Sequence, residues 1–190
     1  MSNNGLLFIG DKSIWTMLAS QFINVHFRNV STVIYERGDR EPDLIIDWCG
    51  DWIISFKSEL VLRKSILDRT QMGAINFHPA PPRYRGFGGY ALSLYNRDNE
   101  YGVTCHHIVE RIDYGPIIDI RTFPIFAGDT VSSLRNRAAT YCLIQLYDVV
   151  DMILKDKKLL GSSNEWGQCL YTYRDMEMLK YKTYDTIKWD

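Results

Sequence analysis

The side chains best suited to chemistry lie in residues 74–86, Ala-Ile-Asn-Phe-His-Pro-Ala-Pro-Pro-Arg-Tyr-Arg-Gly. Asn76 and His78 are two positions apart, so in an extended chain their side chains share one face, whereas Phe77 points into the opposite layer. Pro79 keeps His78 out of the helical region of backbone conformation. A strand end that presents an amide and an imidazole together can polarise a carbonyl group, which is what acyl transfer requires.

Three motifs in this order resemble the folate-dependent formyltransferase family: Asn-Phe-His-Pro (76–79), Pro-Pro-Arg-Tyr-Arg-Gly (81–86) and Gly-Val-Thr-Cys-His-His-Ile-Val-Glu-Arg-Ile-Asp-Tyr-Gly-Pro-Ile-Ile (102–118). This family includes the glycinamide ribonucleotide, methionyl-tRNA and nucleotide-sugar N-formyltransferases, and the resemblance covers most of residues 43–150. Its pattern is Asn-x-His-Pro followed by Asp-x-Gly, and Asp113 stands 35 positions after His78. The resemblance implies that Asn76, His78 and Asp113 are catalytic and that 10-formyltetrahydrofolate is the formyl donor.

The resemblance also indicates where the folate binds. In the family, the loop after the strand beside the catalytic strand holds the pterin through backbone groups. We expect that strand at 51–56, which assigns the pterin to residues 57–62; the other apolar run, 43–46, would move it to residues 50–54. Core packing is an equally ordinary role for Trp52. The predicted folate contacts are Trp52, Ile53, Ile54, Phe56, Lys57, Leu60, Val61, Leu62, Ile112 and Gly115.

Residues after the Pro-rich stretch are candidates for contact with the acceptor. Their arginine and tyrosine side chains suit an acceptor or its phosphates, although a solvated loop explains them equally well. Their glycines permit backbone shapes that suit either a ligand contact or the start of a helix. The resemblance adds Thr104 and His106, which match a threonine and a histidine near the catalytic residues. The acceptor candidates are Arg83, Tyr84, Arg85, Gly86, Gly88 and Tyr90.

The start of the chain has the pattern of an α/β protein. Residues 6–9 are a short apolar run typical of a buried parallel strand, and the β-branched residues at 30–35 predict a second strand. Between them a helix is predicted over 12–25 from apolar residues at helical spacing: Ile14, Met17, Leu18, Phe22 and Val25. This order indicates a Rossmann-like half. No Gly-x-Gly-x-x-Gly follows the first strand, which argues against a nicotinamide cofactor.

The remaining elements complete the expected fold. Further strands are predicted at 51–56, 74–78, 101–109 and 117–125, and helices at 65–70, 90–96 and 130–154. The strand at 117–125 should be antiparallel to its neighbour, since only a short loop separates them. The expected class is α/β, a Rossmann-like formyltransferase fold with a mostly parallel twisted sheet, an antiparallel part and helices on both faces. Residues 1–155 would form the catalytic domain, with residues 156–190 as a tail packed on it.

Composition narrows the class of function. A net charge of −1 provides no basic field for a nucleic acid, and no apolar run approaches the roughly 20 residues of a membrane span. The four cysteines, which lack any Cys-x-x-Cys pair, indicate reduced core thiols: Cys49, Cys105, Cys142 and Cys169. No signal peptide is recognisable at residues 1–9, so we expect a cytoplasmic protein with small-molecule partners; a homodimer stays open.

Metal chemistry is not expected. The four histidines and the carboxylates show no ligand spacing such as His-Glu-x-x-His. Adjacent His106 and His107 point to opposite faces of a strand, so they cannot share one ion.

Elimination selects the amine acceptor. The resemblance implies an added C-terminal domain for the methionyl-tRNA enzyme, for which this length leaves no room, and a glycine-rich phosphate loop for the glycinamide ribonucleotide enzyme, which is missing after the first strand. We therefore expect an amino sugar attached to a nucleotide, such as a dTDP-4-amino-4,6-dideoxyhexose used for lipopolysaccharide O-antigen or other surface polysaccharide. Two alternatives stay open: another small amine such as glycinamide ribonucleotide, and a folate-binding homologue without turnover.

Overall fold

A six-stranded sheet forms the centre of this computed structural model, which describes residues 5–183 and 187–190. Its strands, in the spatial order β2-β1-β3-β4-β6-β7, are β1 (Leu6–Gly10), β2 (Val30–Ile34), β3 (Gly50–Phe56), β4 (Thr70–His78), β6 (Glu100–His107) and β7 (Ile117–Pro124). A separate two-stranded pairing joins β5 (Arg85–Gly86) to β8 (Leu170–Tyr171). The helices are α1 (Ile14–His26), α2 (Asp43–Ile46), α3 (Lys64–Leu67), α4 (Gly89–Tyr95), α5 (Val131–Leu154) and α6 (Tyr173–Thr183).

The sheet is mixed, and helices cover both of its faces, as predicted. Strands β2, β1, β3 and β4 are parallel, whereas β6 and β7 join in antiparallel pairings. On β1, Leu6 and Phe8 enter a core shared with residues of α1 and α5, and Leu7 and Ile9 enter a core shared with α2 and α3. A strand buried on both faces explains why residues 6–9 are continuously apolar.

Helix α1 lies where it was predicted but presents a different face to the core. Its first turn is capped by Ser13, whose hydroxyl accepts a hydrogen bond from the Thr16 backbone N–H (3.3 Å). The Thr16 hydroxyl donates to Asp11 Oδ1 (2.6 Å) and so sets the rotation of the helix. The buried residues are consequently Thr16, Ala19 and Ile23. Of the apolar positions used to predict the helix, Ile14, Met17 and Val25 are exposed.

The choice between the two apolar runs before residue 57 is settled by the structure. Residues 43–46 form the short helix α2, and β3 lies between β1 and β4 in the sheet. The strand beside the catalytic candidates is therefore the one predicted at 51–56. Trp48, in the connection between α2 and β3, is buried in the core.

The C-terminal half closes one side of the sheet. A capping box between Thr130 and Ser133 begins α5, whose apolar stripe packs against β4, β6 and β7. The elements β8 and α6 were not predicted, because the sequence after residue 161 lacks a clear apolar period. They nevertheless add Leu179 to the main core, whereas Tyr181 is 90% exposed.

Two of the four cysteines are buried and two are exposed. Cys105 and Cys142 are buried, and burial raises the pKa of both thiols, but Cys49 and Cys169 are exposed, so the expectation of four core thiols is wrong for these two. Within residues 5–183 and 187–190, none of the helices combines the length and the apolar character that crossing a bilayer needs.

Candidate active site

A cleft of about 1010 Å³ opens at the carboxyl end of the parallel strands. Its wall contains Asp11 after β1, residues 35–37 after β2, residues 57–62 after β3 and residues 78–80 after β4. The carboxyl ends of parallel strands meet at one edge of a sheet, which is where open α/β folds bind ligands. The volume is at the upper end of the range for small-molecule sites, about 300–1,000 Å³.

The three predicted catalytic residues all line this cleft. Asn76 and His78 lie on one face of β4, while Phe77 between them is fully buried in the core behind the sheet. Asp113 comes from the connection between β6 and β7 with a φ of +44°, a left-handed conformation that aspartate tolerates better than most residues. His78 Nδ1 is 3.5 Å from Asp113 Oδ2.

Asp113 is a buried carboxylate with three partners. The Gly86 backbone N–H donates to Oδ2 (2.8 Å), His78 approaches the same oxygen, and His106 Nε2 lies 3.4 Å from Oδ1. Burial alone would raise the pKa of Asp113. The charge of His78, the hydrogen bond and charge of His106, and the Gly86 N–H outweigh burial and hold this pKa well below its ordinary value. The group is therefore ionised at neutral pH.

The two imidazoles have their proton positions set by backbone carbonyls. His78 Nε2 donates to Tyr84 O (2.9 Å) and His106 Nδ1 donates to His107 O (2.8 Å), because a carbonyl oxygen can only accept. The other nitrogen of each ring faces Asp113. A lone pair in that place would repel the carboxylate, whereas an N–H is attracted to it.

The Asn76 amide is coupled to the Asp113 carboxylate through His106. Asn76 Nδ2 lies 3.1 Å from His106 Nε2, and Asn76 Oδ1 is buried with no hydrogen-bond partner among the described residues. A neutral His106 accepts from Nδ2. A protonated His106 prefers Oδ1, and the turned amide then presents Nδ2 as a free donor. Because Nδ2 carries two hydrogens and His106 accepts at most one of them, the Asn76 amide keeps a donor for a ligand with either form of His106.

The predicted folate contacts divide into two groups. Residues that line the cleft are Lys57, Leu60, Val61, Leu62 and Ile112. Residues that do not line it are Trp52, Ile53, Ile54, Phe56 and Gly115. The strand residues among the second group point into the two cores, since β3 is central and covered on both faces. The loop 57–62, not the segment 50–54, is the part of this region that borders the cleft.

The predicted acceptor contacts divide in the same way. Gly86, Gly88 and Tyr90 line the cleft, and so does the supporting residue His106. Arg83 instead pairs with Asp98 at the surface (3.0 Å). The remaining predicted residues are buried and bond to other groups of the protein.

Tyr84 is buried and its hydroxyl donates to Asp98 (2.5 Å); burial raises the pKa of this tyrosine. Thr104, fully buried, donates to Ala80 O (2.8 Å). Arg85 is buried too, and its guanidinium donates to the carbonyls of Asp113 (2.7 Å) and Ile112 (2.9 Å). Arg85 therefore holds the loop that carries the carboxylate and has no place in the cleft wall.

Several cleft residues were missed from the sequence, among them Asp11, Arg37 and Tyr173, whereas Lys57 was predicted. Lys57 Nζ forms an ion pair with Asp11 Oδ2 (2.7 Å), and the Arg37 guanidinium lies over the Tyr173 ring (3.8 Å). Asp11 was detectable, because it follows the first strand at its carboxyl end. The contribution of α6 was not, since nothing in its sequence indicates which edge of the sheet it covers. No group of three or more potential metal ligands occurs in the part of the chain that the structure describes.

Gly115 is a packing constraint on the Asp113 loop. A Cβ at this position would lie 1.8 Å from the backbone oxygen of His107, which cannot move without disturbing β6. We expect Gly115→Ala to lower the free energy of unfolding by about 1–3 kcal/mol in urea denaturation. Gly128→Ala is the matched control, because no atom lies within 4 Å of its added Cβ. Equal stability of the two variants would contradict the tight packing described.

Comparison with known proteins agrees with the geometry. The formyl transferase family model matches residues 44–150, more than half of the chain. The chain therefore belongs to the formyl transferase family. Among curated relatives, it is 32% identical over 108 residues to the bifunctional polymyxin resistance protein ArnA of Wigglesworthia glossinidia brevipalpis, covering 56% of this chain and 16% of that protein. It is also 32% identical over 130 residues to the methionyl-tRNA formyltransferase of Legionella pneumophila strain Paris. That match covers 68% of this chain and 38% of the Legionella protein.

Solved structures show the same fold. An N-formyltransferase from Helicobacter canadensis, in complex with folinic acid and dTDP-3-aminofucose, matches with a TM-score of 0.75 and 18% identity over 89% of this chain and 71% of that one. The formyltransferase PseJ from Anoxybacillus kamchatkensis, in complex with UDP-4,6-dideoxy-4-formamido-L-AltNAc and tetrahydrofolate, matches with a TM-score of 0.72 and 22% identity. This match covers 96% of this chain and 93% of that one. By contrast, the chain spans well under half of the length of each curated relative named above.

Proposed function

We propose that this protein is an N-formyltransferase that moves the formyl group of 10-formyltetrahydrofolate to the amine of a nucleotide-linked amino sugar. The observation that carries the proposal is the convergence of Asn76, His78 and Asp113 on one cleft at the carboxyl edge of the sheet. Similar folds hold folate derivatives together with nucleotide sugars, which supports both substrate classes. Surface polysaccharide synthesis is the process that would use such a product.

The reaction requires a place for negative charge and a route for one proton. The amine nitrogen attacks the formyl carbon, forming a C–N bond and a tetrahedral oxyanion; the bond from this carbon to the folate nitrogen then breaks. The amine loses a proton, and the leaving nitrogen gains one. The Asn76 Nδ2–H that is not used by His106 is the donor we assign to the oxyanion. One such donor typically contributes about 3 kcal/mol to barrier lowering.

Asp113 has two conceivable roles, proton carrier or fixed negative charge. Its low pKa makes it a weak base at neutral pH, because the carboxylate is already stabilised by its three partners. The fixed-charge role is therefore the stronger one. In our proposal Asp113 keeps a positive charge on the imidazoles of His78 and His106, and the proton passes between the two substrate nitrogens through water in the cleft.

The cleft offers separate regions to the two substrates. We place the pterin against residues 57–62 and Ile112, where the apolar side chains of Leu60, Val61 and Leu62 border the cleft. The acceptor would then lie toward Gly86, Gly88 and Tyr90. We assign the catalytic unit to residues 1–155, with residues 156–190 packed on it.

Turnover with a panel of amines tests the proposal. We expect release of tetrahydrofolate from 10-formyltetrahydrofolate in the presence of a dTDP-linked or UDP-linked amino sugar, followed by absorbance, with the formylated product identified by mass spectrometry. The reaction without an amine is the control. Turnover with glycinamide ribonucleotide alone would contradict the sugar assignment.

Methionyl-tRNA is the second candidate acceptor, because curated relatives of this chain carry that activity. The net charge of −1 argues against it, since a tRNA is usually bound through a basic surface. Charged initiator tRNA therefore belongs in the same panel. Folate binding without turnover on any amine would favour a binding protein over an enzyme.

A further inference from the structure

Trp166 lies against both imidazoles of the site. Its ring centroid is 4.8 Å from that of His106, at an interplanar angle of 87°, and 6.1 Å from that of His78, at 59°. The two histidines are almost fully buried. Trp166 is absent from the wall of the cleft, so it contacts the rings from another side than a substrate would. Neither its spacing nor its neighbours in the sequence pointed to this place.

The same tryptophan is bonded to the loop that carries the carboxylate. Its indole Nε1–H donates to Gly115 O (2.7 Å), two residues after Asp113. The Arg85 guanidinium provides a second link, because it donates both to Asp113 O (2.7 Å) and to Gly167 O (3.3 Å). One short segment after α5 is thus connected to all three ionisable groups of the site.

The position of this segment is itself tightly defined. The Gly167 N–H donates to Pro82 O (3.0 Å), and a Cβ on Gly167 would lie 2.8 Å from Arg83 O. Three residues further on, β8 begins beside β5. The backbone before and after Gly167 is therefore fixed against the Pro-rich stretch, which gives the indole a rigid base.

We propose that Trp166 is a positioning residue: it orients the imidazoles of His78 and His106 relative to the Asp113 carboxylate and holds the carboxylate loop through Gly115. This inference rests on the proposed function for its kinetic part only. A ring displaced by about 1 Å at a reacting centre costs about 10²-fold in rate, so removal of the indole should be visible in turnover. A tryptophan that only filled space would lower stability and leave turnover unchanged.

The test compares three variants. Trp166→Ala removes both the ring contacts and the donor, Trp166→Phe keeps a ring and loses the donor, and Tyr181→Ala is the control, an aromatic of the same region that is 90% exposed. We expect kcat to fall about 100-fold in Trp166→Ala and about 10-fold in Trp166→Phe, with little change in KM for the folate. Tyr181→Ala should behave as the unaltered protein.

A second measurement is independent of turnover. The ring nitrogens of His78 and His106 can be followed by ¹⁵N NMR as a function of pH. Their chemical shifts should change in both Trp166 variants and should stay unchanged in Tyr181→Ala. Unchanged resonances together with unchanged kcat would overturn the proposal, even if the variants melt earlier. If the unaltered protein turns over no amine, the proposed function fails, while the resonances still decide the positioning role. If Trp166→Ala does not fold, Trp166→Phe alone tests the positioning role.

Discussion

Asp113→Asn is expected to lower kcat by about 10²–10⁴-fold with little change in the KM of either substrate, since in our proposal the negative charge that faces both imidazoles is required for turnover. The variant should fold, because asparagine tolerates the left-handed backbone of this position and its Oδ1 can still accept from the Gly86 N–H. Stopped-flow or steady-state release of tetrahydrofolate measures the loss. Asp148→Asn, at an exposed carboxylate on α5 outside the cleft, is the matched control.

The same substitution has a signature in stability against pH. The folded-state pKa of Asp113 lies below its ordinary value of 3.8, so its contribution is present above that pH and is lost as the pH falls toward the folded-state pKa. Asparagine has no such dependence. The difference in free energy of unfolding between the two proteins should therefore shrink from about pH 6 to about pH 3 in urea denaturation. A difference that is constant over this range would show that the carboxylate is not selectively stabilised in the fold.

The second large effect is expected at Asn76. Asn76→Ala should lower kcat by about 10²–10³-fold, the usual result of removing one donor to an oxyanion. Asn76→Asp keeps the shape but replaces the donor with a negative charge, so it should be at least as slow. Folate affinity, measured separately by fluorescence titration, should change little, because the donor acts on the transition state more than on the bound substrate.

A control separates this effect from a general loss of fold. Asn24→Ala removes an exposed amide from α1 and should leave kcat unchanged. A rate for Asn76→Ala within a few-fold of the unaltered protein would be incompatible with the donor role. In that case the protonated imidazoles would be the remaining candidates for stabilising the oxyanion.

Local rules were sufficient for the sheet and for the core of the site. The two-residue spacing of Asn76 and His78 placed them on one face of β4. The pairing of Asn76 with His106 across the antiparallel strands β4 and β6 was not predicted, and His106 was placed near the site by the family resemblance. The position of Asp113 needed the family motif, because its loop brings it to the cleft through a left-handed residue that no propensity predicts. The end of β3 was predictable from its continuous apolar character.

Other features depended on contacts between distant residues. The face of α1 that is buried is set by the Thr16 bond to Asp11, which an apolar count cannot detect. Arg85 looks like an acceptor ligand in sequence, but its donors are used by carbonyls of the Asp113 loop and of residue 167. Trp166 meets imidazoles that lie 60 and 88 positions before it in the chain, so no spacing rule applies to it. Side chains such as these are identified only when the fold is known.

The pairing of β5 with β8 has a consequence for protein synthesis. All strands of the six-stranded sheet that the structure describes, and α5, precede residue 155. The Arg85 bonds to the carbonyls of Asp113 and Ile112 need no later residue, but the Trp166 bond to Gly115 and the pairing of β5 with β8 require residues 166–171. On the proposals above, a nascent chain passes through an interval in which all strands of the sheet have been made but Trp166 does not yet hold Gly115, and it becomes fully active only when that interval ends.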